Sequence, residues 1–177
     1  MQRKSNLISE DIKDYVKLLI NEEKVVGISI GVIDSTGIEF FNCGNSEIEK
    51  KNPTDENTIY EIGSISKVFT GILLADLIEK GVVSLDDPIS KYLPKKHKLP
   101  TKNGKEIRFR DLVTHTSGLP RMPNNFNKKN PLNPLENYSA KKAYSFLENY
   151  ELDREIGEKF EYSNFGMGFL GYVITEI

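Results

Sequence analysis

Ser64-Ile65-Ser66-Lys67 opens a helical run of apolar residues, Ile65, Val68, Phe69, Ile72, Leu73 and Leu77, that ends at the stop signal Lys80-Gly81. Ser64 therefore stands at or near a first helical turn, where free backbone N–H groups and the helix dipole favour developing negative charge. Lys67 falls on the same helical face as Ser64. A serine hydroxyl is a weak nucleophile until a neighbour takes its proton. A lysine that is desolvated and close to other positive groups is neutral enough to do so. The pattern is S-x-x-K, and the preceding Gly63 lets backbone approach closely.

The same spacing occurs in Ser139-Ala140-Lys141-Lys142, where a simpler reading holds. Ser139 is the expected N-cap of a short amphipathic helix through Ala143, Tyr144, Phe146 and Leu147, with its lysines in solvent. The tetrad at Ser64 differs in having a partner downstream, Tyr162-Ser163-Asn164, at the start of a run through Phe169, Leu170, Val173 and Ile174. A phenol beside a lysine can shuttle a proton. A carboxamide can hold a substrate amide and the lysine together. The structural alternative makes Tyr162 a half-buried core tyrosine and Asn164 an N-cap.

Four stretches in order resemble the serine β-lactamase and penicillin-binding-protein superfamily, in its class C β-lactamase-like branch. They are Tyr60-Glu61-Ile62-Gly63-Ser64-Ile65-Ser66-Lys67, Gly81-Val82-Val83-Ser84-Leu85-Asp86-Asp87-Pro88-Ile89, Asp111-Leu112-Val113-Thr114-His115-Thr116-Ser117-Gly118-Leu119-Pro120, and Phe160-Glu161-Tyr162-Ser163-Asn164-Phe165-Gly166. The branch includes D-alanyl-D-alanine carboxypeptidases, D-amino-acid peptidases and carboxylesterases. The resemblance implies that Ser64 is the acylated nucleophile and that Lys67 and Tyr162 are the proton-transfer pair. It implies that Asn164 orients the substrate amide and that the Ser64 backbone N–H is one oxyanion-hole donor. His115 would buttress the floor of the site rather than join a triad. His97, in a lysine-rich loop, is expected to be solvated.

The family's third motif, Lys-Thr-Gly or His-x-Gly on a sheet strand, has no match in these residues. It supplies the other oxyanion donor, and loss of one such donor costs on the order of a hundred- to a thousandfold in rate. The expectation is the N-terminal part of a serine hydrolase that forms an acyl-enzyme on a β-lactam, D-alanyl peptide or carboxylic ester. The alternative is a truncated, catalytically incompetent relative that binds a ligand or partner. Ile156-Gly157 stands where the family has Pro-Gly.

Composition narrows the classes further. The chain has 177 residues, 38% hydrophobic and 28% charged, which fits one domain of ordinary polarity. A net charge of −2 gives no case for a nucleic-acid partner. The basic residues 91–105 are interrupted by Pro94, Pro100 and Gly104 and read as a solvated loop. The lone Cys43 excludes an intrachain disulfide and a cysteine-based metal site, and reads as a buried thiol. Without an H-x-x-x-H or H-E-x-x-H pattern there is no support for a zinc route, and no cofactor is expected. Gly166-Met167-Gly168-Phe169-Leu170-Gly171 matches G-x-G-x-x-G but lacks the strand before it and the acid about twenty residues on. Its glycines read as allowing close helix packing. The start, Met-Gln-Arg-Lys-Ser, has no apolar leader, and no segment is long enough to span a membrane, so the expectation is a cytoplasmic form or a chain lacking its original start. Lysine far outnumbers arginine, a hint of an AT-rich bacterial genome.

The fold class expected is α+β, β-lactamase/transpeptidase-like and incomplete. Residues 1–58 would give a helix (9–23) and a two-stranded antiparallel hairpin, with Val26, Ile28, Ile30 and Val32 alternating with Gly27, Ser29 and Gly31 before a second strand over 38–42. The first helix is expected on the small face. Residues 59–177 would be mostly helical, with an irregular loop over 120–134 that the family resemblance puts along one side of the cleft. The family's C-terminal strands are absent from these residues, so the open hairpin edge is expected to invite self-association.

Overall fold

The computed structural model describes residues 7–49, 51–127, 130, 133 and 135–177; residues 1–6 of the start, residue 50 and part of the 120–134 loop lie outside these. The chain forms two compact units, Met1–Glu61 and Ile62–Ile177.

In the first unit, helix α1 (Glu10–Asn21) is capped by Ser9, whose Oγ accepts from Ile12 N at 3.4 Å. Glu10 and Asp11 in its first turn complement the helix dipole. Strands β1 (Gly27–Asp34) and β2 (Gly37–Gly44) pair antiparallel from Gly27↔Gly44 to Asp34↔Gly37. Asp34 Oδ1 closes the turn by accepting from Thr36 N at 2.7 Å and Gly37 N at 3.2 Å. Directly paired residues share a face, so Ile28, Ile30 and Val32 lie with Cys43, Phe41 and Glu39. Glu39 Oε2 accepts from Leu7 N at 2.6 Å and Ile8 N at 3.1 Å, and its Oε1 lies 3.2 Å from Lys13 Nζ. The α1 segment therefore covers the bulky face, not the small face expected from sequence. Covering branched side chains removes more apolar surface from water than covering Gly and Ser. The other face keeps Phe40, Ile38 and Ile33 exposed. Cys43 is half-buried within β2 rather than fully enclosed.

In the second unit a 3₁₀ turn, Gly63–Ile65, leads directly into helix α2 (Ser66–Glu79), which ends where Gly81 takes φ +68°. A short two-stranded ribbon, β3 (Thr101–Lys102) with β4 (Lys105–Glu106), turns on Asn103-Gly104, both at positive φ. The Asn-Gly dipeptide is the signal for that turn within what otherwise reads as a loop. Helices α3 (Phe109–Val113), α4 (Ala140–Glu148) and α5 (Asn164–Thr175) follow. Ser139 caps α4 by accepting from Lys142 N. The core is built on Phe109, Leu112, Tyr144, Leu147, Leu170 and Val173, and α5 packs against both α2 and α3.

Helix α2 departs from a simple one-faced pattern. Leu74 is buried and Leu77 and Ile78 pack on the core, whereas Val68, Phe69, Ile72 and Leu73 stay 56–60% exposed. Apolar residues surround the helix, and among the described residues only the side toward α5 is covered. His97 is also more engaged than a solvated loop residue. Its ring stacks on Tyr144 at 3.7 Å and its Nδ1 lies 2.7 Å from Glu148 Oε1, fastening the basic loop to α4. Among the described residues no helix is long and apolar enough to cross a membrane.

Candidate active site

Ser64 sits on the 3₁₀ turn ahead of α2, made possible by Gly63 at φ +53°. A Cβ at Gly63 would meet nothing within 4 Å, so its glycine serves the left-handed backbone rather than a close approach. One turn on, Lys67 Nζ donates to Ser64 Oγ at 3.1 Å. The Tyr162 hydroxyl donates to the same oxygen at 2.6 Å. Lys67 Nζ also lies 4.9 Å from the Tyr162 ring centroid. The Lys67 ammonium, the Ser64 contact and the Arg121 charge together hold the Tyr162 phenol below its ordinary range, against a smaller opposing effect of burial.

Tyr162 is delivered by the segment just before α5. Ser163, only 1% exposed, is the N-cap of that helix, with its Oγ accepting from Gly166 N at 2.7 Å. The same hydroxyl donates to Pro120 O at 2.6 Å. A Cβ on Gly166 would come within 3.1 Å of Ser163 Oγ, so glycine there leaves room for the cap. The cap is therefore Ser163, not Asn164. Asn164, the first residue of α5, aims its Nδ2 at Met122 Sδ, 3.9 Å away. Among the described residues no hydrogen bond joins Asn164 to Lys67 or Ser64. Asn164 lies on the wall of a mainly apolar cavity of about 290 Å³ between the loop at Met122 and Pro123, α4 and α5.

His115 occupies the left-handed region at φ +59°, uncommon for a residue with a side chain. Its carbonyl accepts from Glu161 N at 2.8 Å and its ring Nδ1 accepts from Ser163 N at 3.1 Å. That second bond requires the proton, if any, on Nε2. The ring lies 4.6 Å from the Tyr162 ring. Burial and the Lys67 charge push its pKa below 6.5, so it is neutral at pH 7 and suited to accept from the backbone. Among the described residues no hydrogen bond links it to Ser64.

The structure thus brings Ser64, Lys67 and Tyr162 to one point and leaves Asn164 beside it. Sequence reading missed two residues. Ser163 occupies the unspecified middle of the Y-x-N pattern, although a serine two residues before the buried run that starts at Phe165 is itself a capping signal. Arg121 has its guanidinium 5.2 Å from the Tyr162 ring centroid, on the face of a residue distant in sequence, and no local pattern announces that. Among the described residues no cluster of His, Cys, Asp and Glu side chains has the makings of a metal site.

Comparison with known proteins places these residues in context. The beta-lactamase family model matches residues 8–177. A beta-lactamase of Escherichia coli K12 is 31% identical over 165 residues, which are 93% of this chain and 40% of that protein. Protein flp of Staphylococcus aureus N315 is 30% identical over 99% of this chain and 34% of its own length. Among solved structures, a beta-lactamase/D-alanine carboxypeptidase from Yersinia pestis superposes with a TM-score of 0.84 at 25% identity, covering 95% of this chain and 48% of that one. A class C beta-lactamase from Rhodobacter sphaeroides gives a TM-score of 0.72 at 27% identity, covering 94% and 44%. The chain belongs to the beta-lactamase family, with an α+β fold shared with class C enzymes, and spans less than half the length of these relatives.

Proposed function

We propose that this chain carries the acylating residues of a serine hydrolase acting on an amide or ester: a β-lactam, a D-alanyl peptide or a carboxylic ester. The observation that supports this most is the convergence of Lys67 Nζ and Tyr162 OH on Ser64 Oγ, at 3.1 and 2.6 Å. As drawn, both neighbours donate, so the serine's own proton has no acceptor between them. Loss of a proton from either one turns it into a base. The lowered phenol pKa favours Tyr162 in that role, with Lys67 as the ammonium that stabilises the phenolate.

In this reading Ser64 Oγ attacks the substrate carbonyl as its proton passes to the phenolate. The Ser64 backbone N–H faces the developing oxyanion as one of its donors. The tetrahedral intermediate collapses, the leaving amine or alcohol takes the proton from Tyr162, and an ester to Ser64 remains. Water then hydrolyses that ester through the same proton-transfer pair. Asn164, next to the pair, orients the substrate amide.

The test is covalent labelling of the full-length protein with a fluorophosphonate, and with a penicillin, followed by peptide mass spectrometry. An adduct on Ser64, absent in Ser64→Ala, supports the reading. An adduct on Ser66 or Ser139 instead, or none on Ser64, overturns it in favour of a binding role without acylation.

A further inference from the structure

Arg121 is anchored through its backbone and left free at its side chain. Its carbonyl accepts from Asn164 N at 3.0 Å and Phe165 N at 3.2 Å, which ties the loop to the first turn of α5. Its guanidinium lies over the Tyr162 ring, 5.2 Å from the centroid. Among the described residues it has neither an acidic partner nor a side-chain hydrogen bond, although three of the other arginines, Arg108, Arg110 and Arg154, all have acidic partners.

We propose that Arg121 is a positioning residue for proton transfer: its guanidinium, with Lys67, stabilises the phenolate form of Tyr162 that takes the Ser64 proton. This rests on the acylation mechanism proposed above and adds a second cation to it. The groups facing Tyr162 come from three places. Lys67 is on α2, His115 and Arg121 are on the stretch after α3, and Ser64 is on the 3₁₀ turn. His115 is kept uncharged by burial and by Lys67, so it adds no positive charge. Glu161, next to Tyr162 in the chain, is taken up by Arg154 Nη2 at 2.6 Å. Among the described residues, Lys67 and Arg121 are therefore the two charges that bear on the phenol, and both favour its ionised form. A cation within about 6 Å of a ring centroid is attracted to the ring face even before the phenol ionises, so the side chain stays where the charge will form.

The side chain is exposed, and the backbone bonds of Arg121 do not depend on it, so Arg121→Gln and Arg121→Lys keep the loop anchored. Two readouts separate this proposal from the one beneath it. The first is ultraviolet titration of the phenol, taken as the difference between each variant and the same variant carrying Tyr162→Phe, since the chain has 8 tyrosines. The second is the pH dependence of fluorophosphonate labelling at Ser64. In Arg121→Gln the Tyr162 titration moves to higher pH, the rising limb of labelling moves with it, and labelling near neutral pH falls about two- to fivefold. Arg121→Lys restores most of both. An unmoved titration in Arg121→Gln overturns the proposal, as does a fall in labelling that Arg121→Lys fails to rescue. If Ser64 labels in no variant while the phenol titration still moves, the acylation mechanism falls and the electrostatic role of Arg121 stands.

Discussion

The hydroxyl of Tyr162 lies 2.6 Å from Ser64 Oγ across 98 positions of sequence, and the close approach is made by two helix starts rather than by neighbouring residues. The Ser64 turn begins α2, the Tyr162 segment begins α5, and the two helices pack together.

Replacing Tyr162 by Phe removes the proposed proton acceptor while keeping the tilted ring beside His115. Ser64 labelling should drop on the order of a hundred- to ten-thousandfold. In the parent chain labelling should rise with pH through the lowered titration of Tyr162; in Tyr162→Phe that rise should vanish. Lys67→Ala should abolish labelling with circular dichroism unchanged. Parent-rate labelling in either variant would remove that residue from the mechanism.

His115 makes stability depend on pH. Its folded pKa lies below the unfolded value of 6.5, so the unfolded chain binds more protons between the two. The contribution is complete above the unfolded pKa and is lost as pH falls through the window beneath it. Thermal unfolding should therefore shift downward between pH 7 and pH 5. His115→Asn tolerates the same left-handed backbone and does not titrate, so it should flatten that part of the curve. An equal slope in both proteins would show that His115 is not responsible.

Ser163→Ala removes the cap on α5 and the bond to Pro120 O together. Loss of a cap costs about 0.5–2 kcal/mol, and the orphaned Gly166 N–H is buried, so the upper part of that range is expected. Urea unfolding followed by far-ultraviolet dichroism measures it. A change within error would mean that water takes over both partners.

Phe69 and Ile72 lie on the uncovered side of α2, each more than half exposed. Changing both to Ser should leave the unfolding midpoint nearly unchanged, since exposed sites contribute within about 0.5 kcal/mol. It should markedly reduce binding of a hydrophobic dye such as ANS and any self-association seen in size-exclusion chromatography. A large loss of stability would show that the pair is packed in solution.

Much of this was legible in the sequence because it is local. The S-x-x-K spacing set Lys67 one helical turn from Ser64, and Ser139 announced its own cap. The order of the four motifs placed Tyr162 with them. What stayed hidden was tertiary. Which hairpin face α1 covers depends on Glu39 receiving Leu7 and Ile8, and side-chain size alternation alone does not fix that. Arg121 reaches the phenol because its carbonyl is held by α5, and the sequence near Arg121 carries no trace of that partner. His97 looked solvated because its loop is basic, while its ring had Tyr144 to lie on.

The three-residue signature Y-x-N names two residues and leaves the middle one blank. In this fold the blank is filled by the residue with the fewest degrees of freedom: Ser163 is enclosed, its hydroxyl both accepts and donates, and its amide is engaged by His115. Saturation mutagenesis across the signature should therefore reverse its apparent emphasis for folding. Asn164, at the wall of an open cavity, should accept many replacements before the protein fails to express, and the wildcard position should accept few.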